Sequence, residues 1–518
     1  MSSPATLLSI VCYGLQDSKL YRPRGQPHLG HYAKVFKKTS RWAAQWIRLD
    51  FDNEPAFGTS ATCTIPRKAE LLSQLTLVVN MPDIYSPQQQ ALVACTPDTF
   101  LGPSFGWTNS LGHALINMAE FNIGGVNVDR IDGLFLEIYD ELYESNESAR
   151  VKNRMIQRVA NGFNSKSIGQ SSSGPTQVEV PLPFWFNRGS YCNALPMDAL
   201  NQDAVQVQVS FRPINQLFFT ESRNSGVDPV NGTMPGIEGA QFYRQNPLSP
   251  NLVYNINPMQ KLNGISGEVI PNIRMPFKLP MGDCYLLAEY ISLEEDEAIA
   301  FRSSMLEYVV EQHYIVPPSA TQNASNVRIP LAYNNPVKEL IWVAQRPEVA
   351  NFNAWFLLTR DMMPITTEPT HWWRMPWWPD AVLTNTDQSL PAFRYAQSEP
   401  IKGAQVTFSN VLRVNHQSPS IFRSLLPLLH YRKAPLFNRY IYVFPFGLAP
   451  GASDDATIGD AVYPRGLSNW EKLPKKELHL TMNPDYNGKH VNLNIYVYIT
   501  TFNVFRVFGG RGVLLFNY

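Results

Sequence analysis

The sequence predicts an all-β protein built from two tandem copies of one β-sandwich, and three observations carry that expectation. Thirty glycines and 41 prolines are spread along the 518 residues, and long amphipathic helical patterns are scarce. Short apolar or alternating runs recur between these turn residues, as in a sandwich or barrel. Several of the runs return in the same order about 265 residues later, the mark of an internal duplication. The length agrees, because a single hydrophobic core stops growing at about 250 to 300 residues.

The clearest strands are LTLVV (75–79), VQVQVSF (205–211), LIWVA (340–344), YIYVFPF (440–446) and VNLNIYVYITTFNVFRV (491–507). In VQVQV, Val205, Val207 and Val209 fall on one face and Gln206 and Gln208 on the other, which suits a strand with one wet side. Few helices are expected. The best candidate is LEEDEAIAFRSSML, starting at Leu293, with Ser292 placed to cap it and Glu294, Glu295 and Asp296 in the dipole-favoured first turn.

The duplication is read from four correspondences. Ile65-Pro66 followed by LTLVV matches Ile329-Pro330 followed by LIWVA, and 111–129 matches 401–415. AVQVQVSF (204–211) matches ELHLTMN (477–483), and CYLLAEYISL (284–293) matches the run from Asn492. Expected domains are residues 26–297, with a loop insertion at about 213–282, and 298–518, with one at about 346–398. Residues 1–25 carry no sandwich pattern.

Composition excludes several classes. Hydrophobic residues make up 44% of the chain and charged residues 17%, so the chain is not disordered. Forty-three basic residues balance 43 acidic ones, which leaves no global positive field for nucleic acid. The longest basic stretch, Lys34, Lys37, Lys38 and Arg41, is short and interrupted by aromatics. The opening residues lack the basic region of a signal peptide, and no apolar run approaches membrane-spanning length. Synthesis in the cytosol is therefore expected. The five cysteines, Cys12, Cys63, Cys95, Cys192 and Cys284, are odd in number and widely spaced, which argues against a disulfide framework and against zinc.

A search for catalytic chemistry finds little. Among nine histidines the close pair is His28 and His31, without a nearby carboxylate. HExxH and Walker patterns are absent from the sequence. Gly124-Gly125 and the GGRG at 509–512 read as hairpin turns. The acids Glu294 to Glu297 are consecutive, so on a helix they point in different directions. The remaining candidate is the cluster Trp372, Trp373, Trp377 and Trp378 beside Arg374, Asp361, Glu368 and Asp380. It suits either a sugar-stacking platform, as in a carbohydrate-binding adhesin, or rings that anchor an insertion or a subunit contact. Asn-X-Ser/Thr sequons stand at Asn146, Asn231 and Asn323.

Several segments, taken in order, resemble the major capsid proteins of the nucleocytoplasmic large DNA viruses. SIVCYGLQDSKL (9–20) resembles that family's opening, and LGHALINMAEFNIGGVNVDRIDGLFLEIYDEL (111–142) its "IGHALI…IGG" block. VPLPFWFNRGSYCNALPMDAL (180–200) is similar to its "VPL…FWF" block, with Asn187 where cysteine is common. ISLEEDEAIAFRSSMLEYVVEQ (291–312) resembles its junction without the basic triplet, and NNPVKELIWVAQR (334–346) its "HPVKELIWVVQ". PRGLSNWEKL (464–473) and YITTFNVFRVFGGRGVLLF (498–516) resemble its ending. The resemblance implies a double jelly roll of two eight-stranded antiparallel sandwiches and a homotrimer forming a pseudo-hexagonal capsomer. It also implies contacts with neighbouring capsomers, penton and minor capsid proteins and the inner viral membrane, residues 1–25 lying beneath the capsomer. No cofactor, metal, enzymatic activity or sequence-specific nucleic-acid binding is implied, and the destination is the virion.

Overall fold

Alternation in VQVQVSF becomes a strand that buries Val205, Val207, Val209 and Phe211 and leaves Gln206, Gln208 and Ser210 at the margin. The computed structural model describes residues 41–82, 104–158, 176–187, 193–221, 244–245, 262–263, 269–270, 280–353, 355–360, 399–409, 411–416, 418–435, 439–447, 466–484 and 488–516. The contacts below lie within the unit Ala43–Tyr518.

One set of eight strands comprises β1 (Trp42–Asp50), β2 (Ser60–Thr64), β3 (Leu71–Met81), β4 (Ile116–Ile123), β5 (Val126–Asp132), β6 (Thr176–Pro181), β7 (Val205–Phe211) and β8 (Cys284–Leu293). A second set comprises β9 (Leu306–Ala320), β10 (Asn326–Pro330), β11 (Pro336–Gln345), β12 (Ile401–Phe408), β13 (Val411–His416), β14 (Ile441–Pro445), β15 (Lys476–Met482) and β16 (Asn494–Phe508). The first set forms sheets ordered β1-β8-β3-β6 and β2-β7-β4-β5. The second forms β9-β16-β11-β14 and β10-β15-β12-β13. Adding eight to every label of the first pair of sheets gives the second pair, so one jelly-roll topology occurs twice. The four sequence correspondences fall on equivalent strands: β3 with β11, the β4–β5 hairpin with β12–β13, β7 with β15, and β8 with β16.

Each sandwich closes over apolar inner faces. Leu75, Leu77, Val178, Val180 and Phe121 are buried in the first, and Leu340, Trp342, Val406, Leu478 and Ile499 in the second. Burying each such side chain stabilises the fold by about 1.5 to 3 kcal/mol. Gly124 and Gly125 have φ of 59° and 82° and turn β4 into β5. Gly509 and Gly510, at 60° and 82°, turn β16 into the short strand Arg511–Leu514. Both are hairpin turns, as their sequence suggests.

Two helical segments differ from expectation. Leu293 closes β8 rather than opening a helix, its N–H donating to the Glu70 carboxylate at 2.9 Å. The acidic helix is therefore shorter, Glu295–Ser303; Glu294 occupies the cap position, and Ser292 stays in the strand. In addition, GLFLEIYDELY forms helix α1 (Gly133–Tyr143), followed by α2 (Asn146–Met155). Asp132 caps α1 by accepting the Phe135 N–H at 2.7 Å. Gly133 is required there, because a Cβ would come 2.2 Å from the His113 carbonyl oxygen. In the second sandwich the equivalent connection after β13 is a π-helical turn, Ile421–Leu425, running into α3 (Leu426–His430).

Candidate functional site

Helix α1 lies where the two sandwiches meet, and its sequence explains why. Leu134, Phe135, Leu136, Ile138 and Leu142 are all buried. The Phe135 ring sits 4.3 Å from that of His313 on β9 and 5.6 Å from Tyr498 on β16. Strand β5 joins in: Gln312 Nε2 donates to the Val128 carbonyl at 2.5 Å, and the His313 N–H donates to Asp129 Oδ1 at 3.2 Å. Tyr498 donates its hydroxyl to both oxygens of Asp132, at 3.0 and 3.2 Å, across 366 residues of sequence. Burial raises the pKa of Asp132, opposed by the Phe135 N–H and by Tyr498.

The polar side of α1 carries Glu137, Asp140 and Glu141, spaced i, i+3 and i+4 and therefore on one face. All three are buried. Glu137 is paired with Arg158, with Arg439 at 3.2 Å and with His113 Nδ1 at 2.9 Å. Asp140 meets Lys152 at 2.5 Å and Arg158 at 3.0 Å, and Glu141 meets Lys433 at 3.3 Å. Arg439 and Lys433 come from the second sandwich, so this cluster ties the sandwiches electrostatically. Burial works to raise the pKa of Glu137, but Arg158, Arg439 and His113 outweigh it and hold the carboxyl well below its usual range. For Asp140, too, burial works to raise the pKa, and Lys152, His113 and Arg158 together lower it. Nearby, Glu339 on β11 accepts the hydroxyls of both Tyr143 and Tyr431. Burial, then Glu339, pushes both phenols far above their ordinary range. These carboxylates are saturated by partners, an arrangement that fixes geometry rather than one poised for proton transfer.

A second bridge runs through loops. Asn353 donates to the carbonyls of Asn215 and Phe218, at 2.8 and 2.6 Å, and the Trp355 indole donates to Gln216 at 2.7 Å. At the hairpin after β16, the Gln202 N–H donates to the Gly510 carbonyl at 2.9 Å and the Gly512 N–H to Asp203 at 2.9 Å.

The outer surface presents exposed apolar groups. Leu425, Leu428 and Leu429 project from the π turn and α3, with Leu428 70% exposed. Val411 and Leu412 are exposed on β13, Trp46 on β1, and Phe508, Val513 and Leu515 at the last hairpin. Contiguous exposed apolar surface marks contact sites.

Of the sequence candidates, Trp372, Trp373, Trp377 and Trp378 lie outside the described residues, as do His28, His31, Asn231, Cys12, Cys95, Cys192 and residues 1–25. Glu295, Asp296 and Glu297 form the first turn of their helix, as read. Cys63 and Cys284 are free and buried, and burial pushes both thiols up to about 12. Among the described residues no cluster of three or more metal-ligating groups occurs, and no helix is long and apolar enough to cross a membrane. The seam was missed in the sequence, although the Asp132 cap and the 3.6-residue spacing of Leu134, Ile138 and Leu142 signal its helix.

Comparison with known proteins places this architecture. Residues 30–245 match the family model for the major capsid protein N-terminus, and residues 297–513 match that for the large eukaryotic DNA virus major capsid protein. The major capsid protein of Phaeocystis pouchetii virus is 25% identical over 358 residues, 65% of this chain. That of Chrysochromulina ericina virus is 24% identical over 382 residues, 67% of this chain. The aligned region spans 58% of each relative's own length. In fold, the chain is similar to the coat protein in the quasi-atomic model of the PBCV-1 virus capsid, at TM-score 0.63 and 18% identity, covering 94% of this chain and 100% of that one. It is also similar to the Faustovirus major capsid protein, at TM-score 0.59 and 9% identity, covering 92% of each. Two matched sandwiches and two family models along one sequence agree: the chain belongs to the major capsid proteins of large eukaryotic DNA viruses.

Proposed function

We propose that this chain trimerises into pseudo-hexagonal capsomers and that these build the icosahedral shell of a large double-stranded DNA virus. The observation that carries the reading is the pair of topologically identical sandwiches locked by a buried seam. Each chain supplies two similar rigid blocks in fixed orientation, so three chains supply six, and a six-fold outline follows from three-fold contacts. The balanced charge supports this role, since many copies packed edge to edge would repel if each carried a strong field. Its role is structural rather than enzymatic, with assembly resting on many modest contacts. Neighbouring capsomers, penton and minor capsid proteins and the inner viral membrane are its partners, the membrane side being met by residues 1–25. The protein is made in the host cytoplasm and ends in the virion. Light scattering and electron microscopy of the purified protein test this. Three-chain particles with a hexagonal outline are expected; a monomer at shell-forming concentrations overturns the reading.

A further inference from the structure

The cations between the sandwiches have partners, with one exception. Arg158, Arg439, Lys152 and Lys433 each meet a buried carboxylate. Lys476, in the second sandwich, donates instead to three oxygens, those of Tyr333, Asn334 and Trp470, at 2.6, 3.0 and 3.1 Å. Arg212, just past β7, has neither arrangement. Among the described residues its guanidinium makes no hydrogen bond and no ion pair, and its Nε is sealed from solvent without an acceptor. Its backbone is fixed, the N–H donating to the Leu115 carbonyl at 2.9 Å and the carbonyl accepting the Gly58 N–H at 3.2 Å. The guanidinium lies over the Trp355 ring, 4.2 Å from its centroid. That residue is pinned as well: its indole donates to the Gln216 carbonyl at 2.7 Å, and its own carbonyl accepts from Gln345 at 2.5 Å. The charge of Arg212 is felt at Asp132, Tyr496 and Tyr498, but none of them bonds to it. Asp132 is already taken by the Phe135 N–H and the Tyr498 hydroxyl. Burial lowers the Arg212 pKa, and Asp132 does not restore it. Arg212, Trp355 and Tyr496 all keep some exposure, so the place opens to solvent.

We propose that Arg212 and Trp355 form a binding site for one small oxyanion, a carboxylate or a phosphate, held by the free edge of the guanidinium with the indole beneath it. A cation taken out of water without a partner is costly, so the native chain gains from an anion that completes it. The planar guanidinium fork offers two parallel N–H groups, the geometry that both oxyanions accept. One fork suits one anion; the balanced charge of the chain supplies no field to gather a polyanion. Arg212 belongs to the first sandwich and its platform to the second, so the bound anion adds a tie between them. A ligand that binds the folded chain alone stabilises it in proportion to the logarithm of its concentration.

Thermal unfolding of the full chain near neutral pH tests this, with sodium acetate or sodium phosphate replacing sodium chloride at fixed ionic strength. General salt effects on burial move parent and variants together. With at least one of the two anions, the parent midpoint should gain on that of Arg212→Gln, in equal steps for each tenfold rise above half-saturation. The anion that acts at the lower concentration identifies the class. Arg212→Lys keeps the charge and loses the fork, so its apparent affinity should fall about 10-fold or more. Should Arg212→Gln fail to fold, the comparison with Arg212→Lys decides alone. A parent whose midpoint ignores both anions overturns the site. So does a parent that moves in step with the variants, which would mean an adventitious ion effect only, and an Arg212→Lys that tracks the parent overturns the fork.

Discussion

Glu137 and Glu399 are both sealed from water, one in the seam between the sandwiches and the other inside the second, and they are driven in opposite directions. Glu137 has two guanidiniums and a histidine against it and is held well below the ordinary value of 4.5. Glu399 has Arg423 at 3.5 Å and the Tyr442 hydroxyl at 3.0 Å, and burial wins, raising its pKa. Desolvation penalises both; the number and closeness of cations decide the sign. A buried carboxylate thus marks a tie between domains only where cations from both sides converge on it, and that distinguishes α1 from the interior of the second sandwich.

The largest effect should come from Glu137→Gln, which keeps the shape, takes from Arg439 its carboxylate partner and leaves Arg158 with Asp140 alone. A loss of about 3 to 5 kcal/mol is expected, read as a lowered denaturant midpoint with an unchanged slope; a loss below about 1 kcal/mol would mean the cluster is not what ties the sandwiches. Phe135→Ala should cost a similar amount, about 3 to 5 kcal/mol, through the cavity left against His313 and Tyr498. Acid titration sharpens the contrast. Because the Glu137 and Asp140 pKa values are depressed, their contribution is complete above the ordinary values of 4.5 and 3.8 and is lost as pH falls below them toward the folded values. Glu399 is raised, so its contribution is greatest below 4.5 and is lost as pH climbs toward its folded value. The stability of the parent minus that of Glu399→Gln should accordingly fall as pH rises from 4.5, and a difference that rises instead would refute the assigned direction. The smallest effect belongs to Leu429→Ala: in a dissociated chain it should change unfolding by no more than about 0.5 kcal/mol, since the side chain is exposed.

The repeat is legible in the sequence because strand alternation and turn residues are local properties, and duplicated domains copy them in order. Ile65-Pro66 with Ile329-Pro330, and VQVQVSF with ELHLTMN, located equivalent strands for that reason. The start of the acidic helix was misjudged because Glu70, 223 residues upstream, fixes Leu293 in a strand, a tertiary contact that local sequence does not announce. The seam was harder still. Glu137, Asp140 and Glu141 look like the wet face of an amphipathic helix, and the second sandwich inverts that reading by bringing Lys433 and Arg439 onto them. The sugar-platform alternative for Trp372, Trp373, Trp377 and Trp378 has no described residues to stand on.

The bond from Tyr498 to Asp132 sets a schedule for synthesis. At about 5 to 20 residues per second, the 366 residues between them take roughly 20 to 70 seconds to appear. From the completion of β8 until β16 arrives, a nascent chain holding the first sandwich carries α1 without its full cover, because Phe135 packs on both β9 and β16. The first sandwich needs shielding while it waits, and a transcript cut short before β16 leaves a sticky remnant rather than a half-sized building block.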